Sequence, residues 1–290
     1  MKRYAIFFPA LLIACAQNFS EVRGFPPEAN NRLREFFQKT AGEPGRKVAV
    51  FDGDGTVLGQ VPHYLADECM YKYAEAHPEK HPAVIREIKP QSNVSIPYVQ
   101  GRVRFFAGES PQKIRDLGDE CFKTDYSTKI YPQMKALIQL LKQNGFEVWI
   151  VTASPEALYQ TFLSRELGLA PMNILGVKSV VRNDVLTDEM IQPIPQEEGK
   201  RHAIETFIQA QPLLAAGNSR GDREMIEYSR GLRMIVNPDT KQTATEPSLA
   251  QYAKQNNWLV VHIRDVEEQN FPGISSKKFG IRKNATHDVP

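Results

Sequence analysis

The chain has 290 residues, enough for one large domain or for a core carrying an insertion. An apolar fraction of 41% and a charged fraction of 24% are those of a folded globular protein, which excludes a largely disordered chain. A net charge of +2, with no long basic block in the body, gives no electrostatic support to general nucleic-acid or membrane-surface binding.

The N-terminus departs from this pattern. Lys2 and Arg3 precede an apolar run from Tyr4 to Ala14, closed by Cys15-Ala16-Gln17. The run is too short to span a bilayer and has the layout of a signal peptide over residues 1–16. Pro9 counts against an ordinary buried helix there. Leu12-Ile13-Ala14-Cys15 resembles a bacterial lipobox, which would put a lipid on Cys15 and attach the protein to a membrane. Ala14-Cys15-Ala16 also reads as a cleavage site that would release a soluble protein starting at Gln17. Both readings predict export, to the periplasm or cell envelope. In an oxidising compartment Cys69 and Cys121 would then be left to pair, the alternative being two buried thiols. No paired Cys/His spacing suited to zinc appears.

Asn30 to Thr40 carries Leu33, Phe36 and Phe37 at helical spacing, and Lys47 to Phe51 reads as a first strand. From Val61 to Thr128 the pattern becomes helical and aromatic-rich, interrupted by Pro78, Pro82, Pro90, Pro97 and Pro111. Tyr131 to Gln143 is an amphipathic helix, and Glu147 to Val151 a second strand. Ser154 and Pro155 predict a helix start, with Ser154 as the N-cap, and Gly168 ends that helix. Gly176 to Met190 predicts a strand pair turning at Asn183-Asp184. Lys200 opens a helix through Ile204, Phe207 and Ile208. Strands follow at Pro212–Ala216, Leu232–Val236 and Trp258–Ile263. The Ser/Lys/Gly-rich tail over 269–290 is expected to be flexible.

Strands alternating with helices predict an α/β fold, a Rossmann-like, mostly parallel sheet core with an inserted helical cap. The core would comprise 17–60 and 129–268, and the cap 61–128. In such sheets ligands bind beyond the carboxyl ends of the strands. Three polar groups fall at such ends: Asp52, Thr152 and Asn218. The first is the most informative, because Val48-Ala49-Val50-Phe51 runs straight into Asp52-Gly53-Asp54-Gly55-Thr56. Asp-Gly pairs also punctuate turns. Two carboxylates held this close repel unless a cation or a shared proton compensates, and hard ions such as Mg2+ favour oxygen ligands of this kind.

From Lys47 to Asp239 the chain resembles the haloacid dehalogenase superfamily, in particular its phosphatases with a helical cap between the first two motifs, such as those acting on phosphoserine or phosphorylcholine. Asp52-Gly53-Asp54-Gly55-Thr56 matches the first motif and Ile150-Val151-Thr152 the second. Lys200 fits the third, and Gly217-Asn218-Ser219-Arg220-Gly221-Asp222 the fourth. The resemblance implies a phosphomonoesterase in which Asp52 is the nucleophile and Asp54 the general acid and base. Thr152 and Lys200 would bind phosphate. Asp52, Asp54, Asn218 and Asp222 would form the Mg2+ site. The substrate would be a small phosphorylated molecule, with no nucleic-acid partner.

One departure from the family is Asn218, where the fourth motif usually carries an acid. A neutral amide oxygen still ligates Mg2+, with lower affinity. That departure keeps open a non-catalytic envelope lipoprotein binding a phosphorylated ligand, and a phosphotransferase is a further alternative. Val57-Leu58-Gly59-Gln60-Val61 offers no glutamate of the kind that meets the substrate amine in phosphoserine-specific relatives. Tyr64, Tyr71, Tyr73, Tyr98, Phe105 and Phe106 would suit a cage for a quaternary ammonium, or equally the core of the cap.

Overall fold

The computed structural model describes residues 19–244 and 246–265. The expected signal peptide, Cys15 and the tail from Gln269 lie outside the described residues. Strands β1 (Lys47–Phe51), β2 (Phe146–Pro155), β3 (Ile174–Val177), β6 (Leu214–Gly217), β7 (Leu232–Val236) and β8 (Leu259–Val261) form one parallel sheet in the order β3-β2-β1-β6-β7-β8. The order reverses between β1 and β6, and a parallel sheet opens a crevice beyond its carboxyl edge at such a point. The expected α/β core with a mostly parallel sheet is therefore the fold observed.

Both faces of the sheet are covered, as its near-continuous apolar strands require. Ala49 and Phe51 pack on one side with Phe36 and Phe37 of α1 (Pro27–Thr40) and with Leu137 and Ile138 of α6 (Pro132–Gln143). Leu158 and Leu163 of α7 (Glu156–Leu167) join that cluster. Val48 and Val50, one residue out of phase, pack on the other side. Their partners there are Ala203 of α8 (Glu198–Ala203) and Met225 of α9 (Arg223–Glu227). Helix α10 (Leu249–Gln255) precedes β8 and lays Leu249 and Ala253 against Trp258 and Ile235.

Two local expectations are corrected. Strand β2 continues through Pro155, so α7 starts at Glu156 and Ser154 is not its N-cap. Gly176 belongs to β3 at the edge of the main sheet, and the separate hairpin is β4 (Ser179–Arg182) with β5 (Val185–Met190). Asn183 and Asp184, at φ of 49° and 62°, make its turn, and short polar side chains tolerate that left-handed backbone. Helix α1 also starts earlier than expected, with Pro27 in its first turn, where a missing amide hydrogen costs nothing.

Between β1 and β2 the chain forms α2 (Leu65–Ala76), α3 (Pro82–Ile88), α4 (Ile96–Phe105) and α5 (Pro111–Cys121). Pro82, Pro97 and Pro111 stand in the first turns of α3, α4 and α5, so the prolines that interrupt the sequence pattern are helix starts. Ser95 and Ser110 cap α4 and α5, accepting from the amides of Tyr98 and Lys113. Tyr71, Tyr98, Phe105, Phe106 and Tyr126 fill the interior, and a Cys69–Cys121 disulfide joins α2 to the end of α5 at a Cα separation of 5.8 Å. Helix α5 lies directly on α7: a Cβ on Gly118 would stand 1.8 Å from the Leu158 carbonyl oxygen.

The two strands of chain that connect this insertion to the sheet run side by side. Leu58 bridges Ile130, the Gly59 amide donates to the Lys129 carbonyl at 2.8 Å, and the Tyr131 amide donates to Val57 at 2.9 Å. Asp265, after β8, fastens both. Its Oδ2 accepts from the Gln60 and Val61 amides at 2.8 and 3.0 Å, and its Oδ1 pairs with buried Lys129 at 2.9 Å. The hairpin forms another link, through reciprocal backbone bonds of 2.8 Å between Leu186 and the Gly108–Glu109 loop.

Candidate active site

Asp52 leaves β1 with its amide still donating to the Ala216 carbonyl of β6, at 2.9 Å, which holds it in the crevice between the two strands. The next residues fold into a tight loop, with the Val57 and Leu58 amides both donating to Gly53 at 3.0 Å. Gly55 turns that loop at a φ of +83°, and the space a Cβ would take there is occupied by the side chains of Asn218 and Gln60.

The two expected catalytic carboxylates are brought together and fastened differently. The Lys200 ammonium donates to Asp52 Oδ1 and to Asp222 Oδ1, both at 2.5 Å, with all three side chains buried. Burial by itself would lower the Lys200 pKa, but Asp222 and Asp52 outweigh it and hold the ammonium charged. Burial raises the Asp52 carboxyl, Asp222 adds to the rise, and Lys200 offsets part of it. Asp54 instead accepts from Ser154 Oγ at 2.8 Å and from the Tyr159 hydroxyl at 2.8 and 3.0 Å. Burial pushes its carboxyl up, while the Tyr159 and Ser154 hydrogen bonds pull it part of the way back. A carboxyl whose pKa is raised by burial is better suited to giving and taking a proton than an exposed one.

Thr152 sits beside this pair, 1% exposed, its Oγ1 accepting from the Ser154 amide at 3.1 Å. Asn218 follows β6. One branch of its amide lies 3.1 Å from the Asp54 carbonyl oxygen and 3.2 Å from Asp52 Oδ2. With Oδ1 in that branch, three acceptor oxygens face one another, a donor set that fits a small hard cation. Asp222 stands apart from that set. Its Oδ2 accepts from the Asn218 and Ser219 amides at 3.0 Å and from Ser219 Oγ at 3.1 Å, while Oδ1 faces Lys200. Both its oxygens are thus turned to protein donors, which makes it a support for Lys200 and the 218–219 turn.

A cavity of about 450 Å³ opens over these groups, with Tyr64, Asn93, Val94, Val99 and Arg102 on its cap side. Arg102 is 3% exposed, paired with Asp67 at 3.2 Å, and its Nε has no hydrogen-bond partner among the described residues. Burial raises the Asp67 carboxyl to about 6 against the pull of Arg102 and of Asn93, which donates to it at 3.1 Å. Of the six aromatics considered for a cationic cage, only Tyr64 lines the cavity. Tyr71 and Tyr98 share a 3.0 Å hydroxyl contact inside the cap, and Phe105 and Phe106 are buried there. These rings are cap core.

Several residues of the site were not singled out from the sequence: Tyr159, Gln60, Arg102 and Asp265, together with the role of Ser154. Ser154 stood out only as a helix cap. The others gain their places from partners 35 to 205 positions away in the chain, and no local pattern marks them.

Residues 49–227 match the family model described as haloacid dehalogenase-like hydrolase. The phosphoserine phosphatase SerB1 of Mycobacterium tuberculosis is 25% identical over 177 residues, 59% of this chain and 54% of that protein. The chain therefore spans about half the length of the curated relatives it matches. Among solved structures, a protein of unknown function from Bordetella pertussis Tohama I matches with a TM-score of 0.59 at 17% identity, over 74% of this chain and 98% of that one. A HAD family hydrolase of Salmonella enterica serovar Typhi matches with a TM-score of 0.50 at 16% identity, over 82% and 78%. These two likenesses are of fold.

Proposed function

Because the chain belongs to the haloacid dehalogenase-like hydrolase family, we propose that it is a phosphatase that hydrolyses a small organic phosphomonoester through an aspartyl-phosphate, with Mg2+. The observation that carries this reading is the separate fastening of two neighbouring carboxylates, Asp52 to a buried ammonium and Asp54 to two hydroxyls. The first sets an ammonium against the charge of Asp52 as nucleophile; the second suits Asp54 to proton transfer.

An Asp52 oxygen attacks phosphorus as the bond from phosphorus to the leaving oxygen breaks, and Asp54 gives that oxygen its proton. Water then attacks the aspartyl-phosphate, Asp54 takes a proton from it, and phosphate departs with Asp52 restored. Lys200 and the Thr152 hydroxyl hold phosphate oxygens throughout. Asp52 Oδ2, the Asp54 carbonyl and Asn218 Oδ1 would hold Mg2+. When bound, it would supply positive charge against the phosphate and the charge developing in transfer.

Arg102 on the cap wall, paired with Asp67 but with its Nε unbonded among the described residues, would offer a donor to a carboxylate or other anion on the leaving group. The relative named phosphoserine phosphatase supports a compact leaving group of that kind. The Cys69–Cys121 bond supports an oxidising compartment, in keeping with the export expected from the N-terminal segment.

The test is phosphate release from p-nitrophenyl phosphate with and without Mg2+, in the wild type and in Asp52→Asn. Activity in the variant should fall at least about a thousandfold, because a neutral amide is a poor nucleophile. An unchanged circular dichroism spectrum would exclude unfolding as the cause. Retained activity would remove Asp52 from the mechanism.

A further inference from the structure

We infer that Gln60 is a positioning residue for the cation site, holding the nitrogen of the Asn218 amide away from the site so that its oxygen faces a divalent ion. This rests on the proposed Mg2+ site. A carboxylate has two equivalent oxygens and serves a cation in either orientation. An amide has one oxygen and one nitrogen, and only one orientation serves. The chain has an amide at 218, so it has an orientation to control.

Both orientations have partners in this structure. With nitrogen turned inward, the Asn218 amide would donate to the Asp54 carbonyl at 3.1 Å and to Asp52 Oδ2 at 3.2 Å, filling the place of the ion with its own hydrogens. With oxygen inward, Nδ2 donates to Gln60 Oε1 at 3.3 Å, and the Thr56 hydroxyl at 3.4 Å can donate to Oδ1. Gln60 is therefore the acceptor that rewards the cation-competent orientation. The opposite one would leave two acceptors, Asn218 Oδ1 and Gln60 Oε1, facing each other at 3.3 Å unless Gln60 rotated as well.

Two further features hold the pair in place. Gly55 leaves open the space where the two amides meet: a Cβ there would lie 2.0 Å from Asn218 Nδ2 and 2.6 Å from Gln60 Oε1. The Gln60 backbone is itself tied to Asp265 by its amide at 2.8 Å. The amide of Gln60 thus meets Asn218 from an anchored backbone position.

The experiment measures Mg2+ binding by titration calorimetry in four proteins: wild type, Gln60→Met, Asn218→Asp and the double variant. Folding is checked by thermal melting. Gln60→Met should weaken binding roughly three- to tenfold in the wild-type chain, the worth of one hydrogen bond. It should weaken binding less than about twofold alongside Asn218→Asp, where nothing has to be oriented, the same bound on a lost hydrogen bond applying. Gln60→Glu, which can only accept, should bind Mg2+ at least as well as the wild type. If Gln60→Met fails to fold, Gln60→Glu decides alone, and weakened binding there overturns the inference. Equal losses in both backgrounds, or none in either, also overturn it while leaving the Mg2+ reading intact. Absence of Mg2+ binding in both the wild type and Asn218→Asp removes that reading, and the inference with it.

Discussion

Asp52 and Asp54 are two positions apart, yet each answers to a different remote element: Lys200 on α8 for one, Ser154 and Tyr159 at the end of β2 and on α7 for the other. This division predicts how the loss of Asp54 should depend on the substrate. Asp54→Asn cannot protonate a leaving oxygen, so alkyl phosphates should lose on the order of a hundredfold or more in rate. An aryl phosphate, whose leaving group departs without help, should lose several times less in the first step. Comparing kcat/KM across leaving groups of rising pKa checks this; a uniform loss would make Asp54 structural. Asp52, Thr152, Lys200 and Asn218 could be found in the sequence because each lies near the carboxyl end of a strand or the start of a helix, where composition changes within a few residues. Tyr159 and Arg102 could not, since each sits within an ordinary helical pattern and gains its role from partners 105 and 35 positions away. Asp222 was legible as an acid of the fourth motif, able to ligate Mg2+ or to orient Asn218, a metal water or Lys200, but the sequence did not choose among these. Only the folded turn shows its oxygens facing Lys200 and the 218–219 amides.

The cap helices and their loops have electrostatics of their own. Glu109, before α5, accepts from Lys80 at 2.6 Å and from the Tyr73 hydroxyl at 3.1 Å, and pairs with Lys113 at 2.8 Å. Burial would raise its carboxyl, but Lys113, Lys80 and Tyr73 outweigh burial and hold it down at about 2. The folded value is depressed from 4.5, so the stabilisation is fully present above that pH and is lost as pH falls through it towards 2. Glu109→Gln should therefore lower the melting temperature at pH 6, with the gap to the wild type closing between pH 4.5 and 2. A gap that does not change with pH would mean that packing, and not charge, carries the effect. The existence of the elements was largely legible, because their apolar spacing is strong. Their ends were less so. The strand signal of β2 and the cap signal of Ser154 compete for the same residues, and sheet pairing of Pro155 with Val177 settles the boundary. Strand β3 has only four residues with a glycine among them, too little pattern to separate it from the hairpin that follows.

For the molecule as a whole, the disulfide closes a loop of 52 positions within the cap. Loop-closure entropy puts its contribution at about 4 kcal/mol at most for an undistorted bond. Reduction, or Cys69→Ser with Cys121→Ser, should lower stability by a large part of that amount. Hydrogen exchange should show the loss concentrated in residues 61–128. Alkylation without reductant should find neither thiol, and free thiols in protein from an oxidising compartment would refute the bond. The sheet order has a consequence for biosynthesis. The nucleophile lies at the end of β1, made early, yet its ammonium comes 148 positions later and Asp265 comes 205 positions after Gln60. A chain emerging N-terminus first thus carries both carboxylates long before either has its partners. Its chemistry is withheld until Lys200 and Asn218 have been made, and a product cut short before Asp265 would lack the fastening of both cap connections.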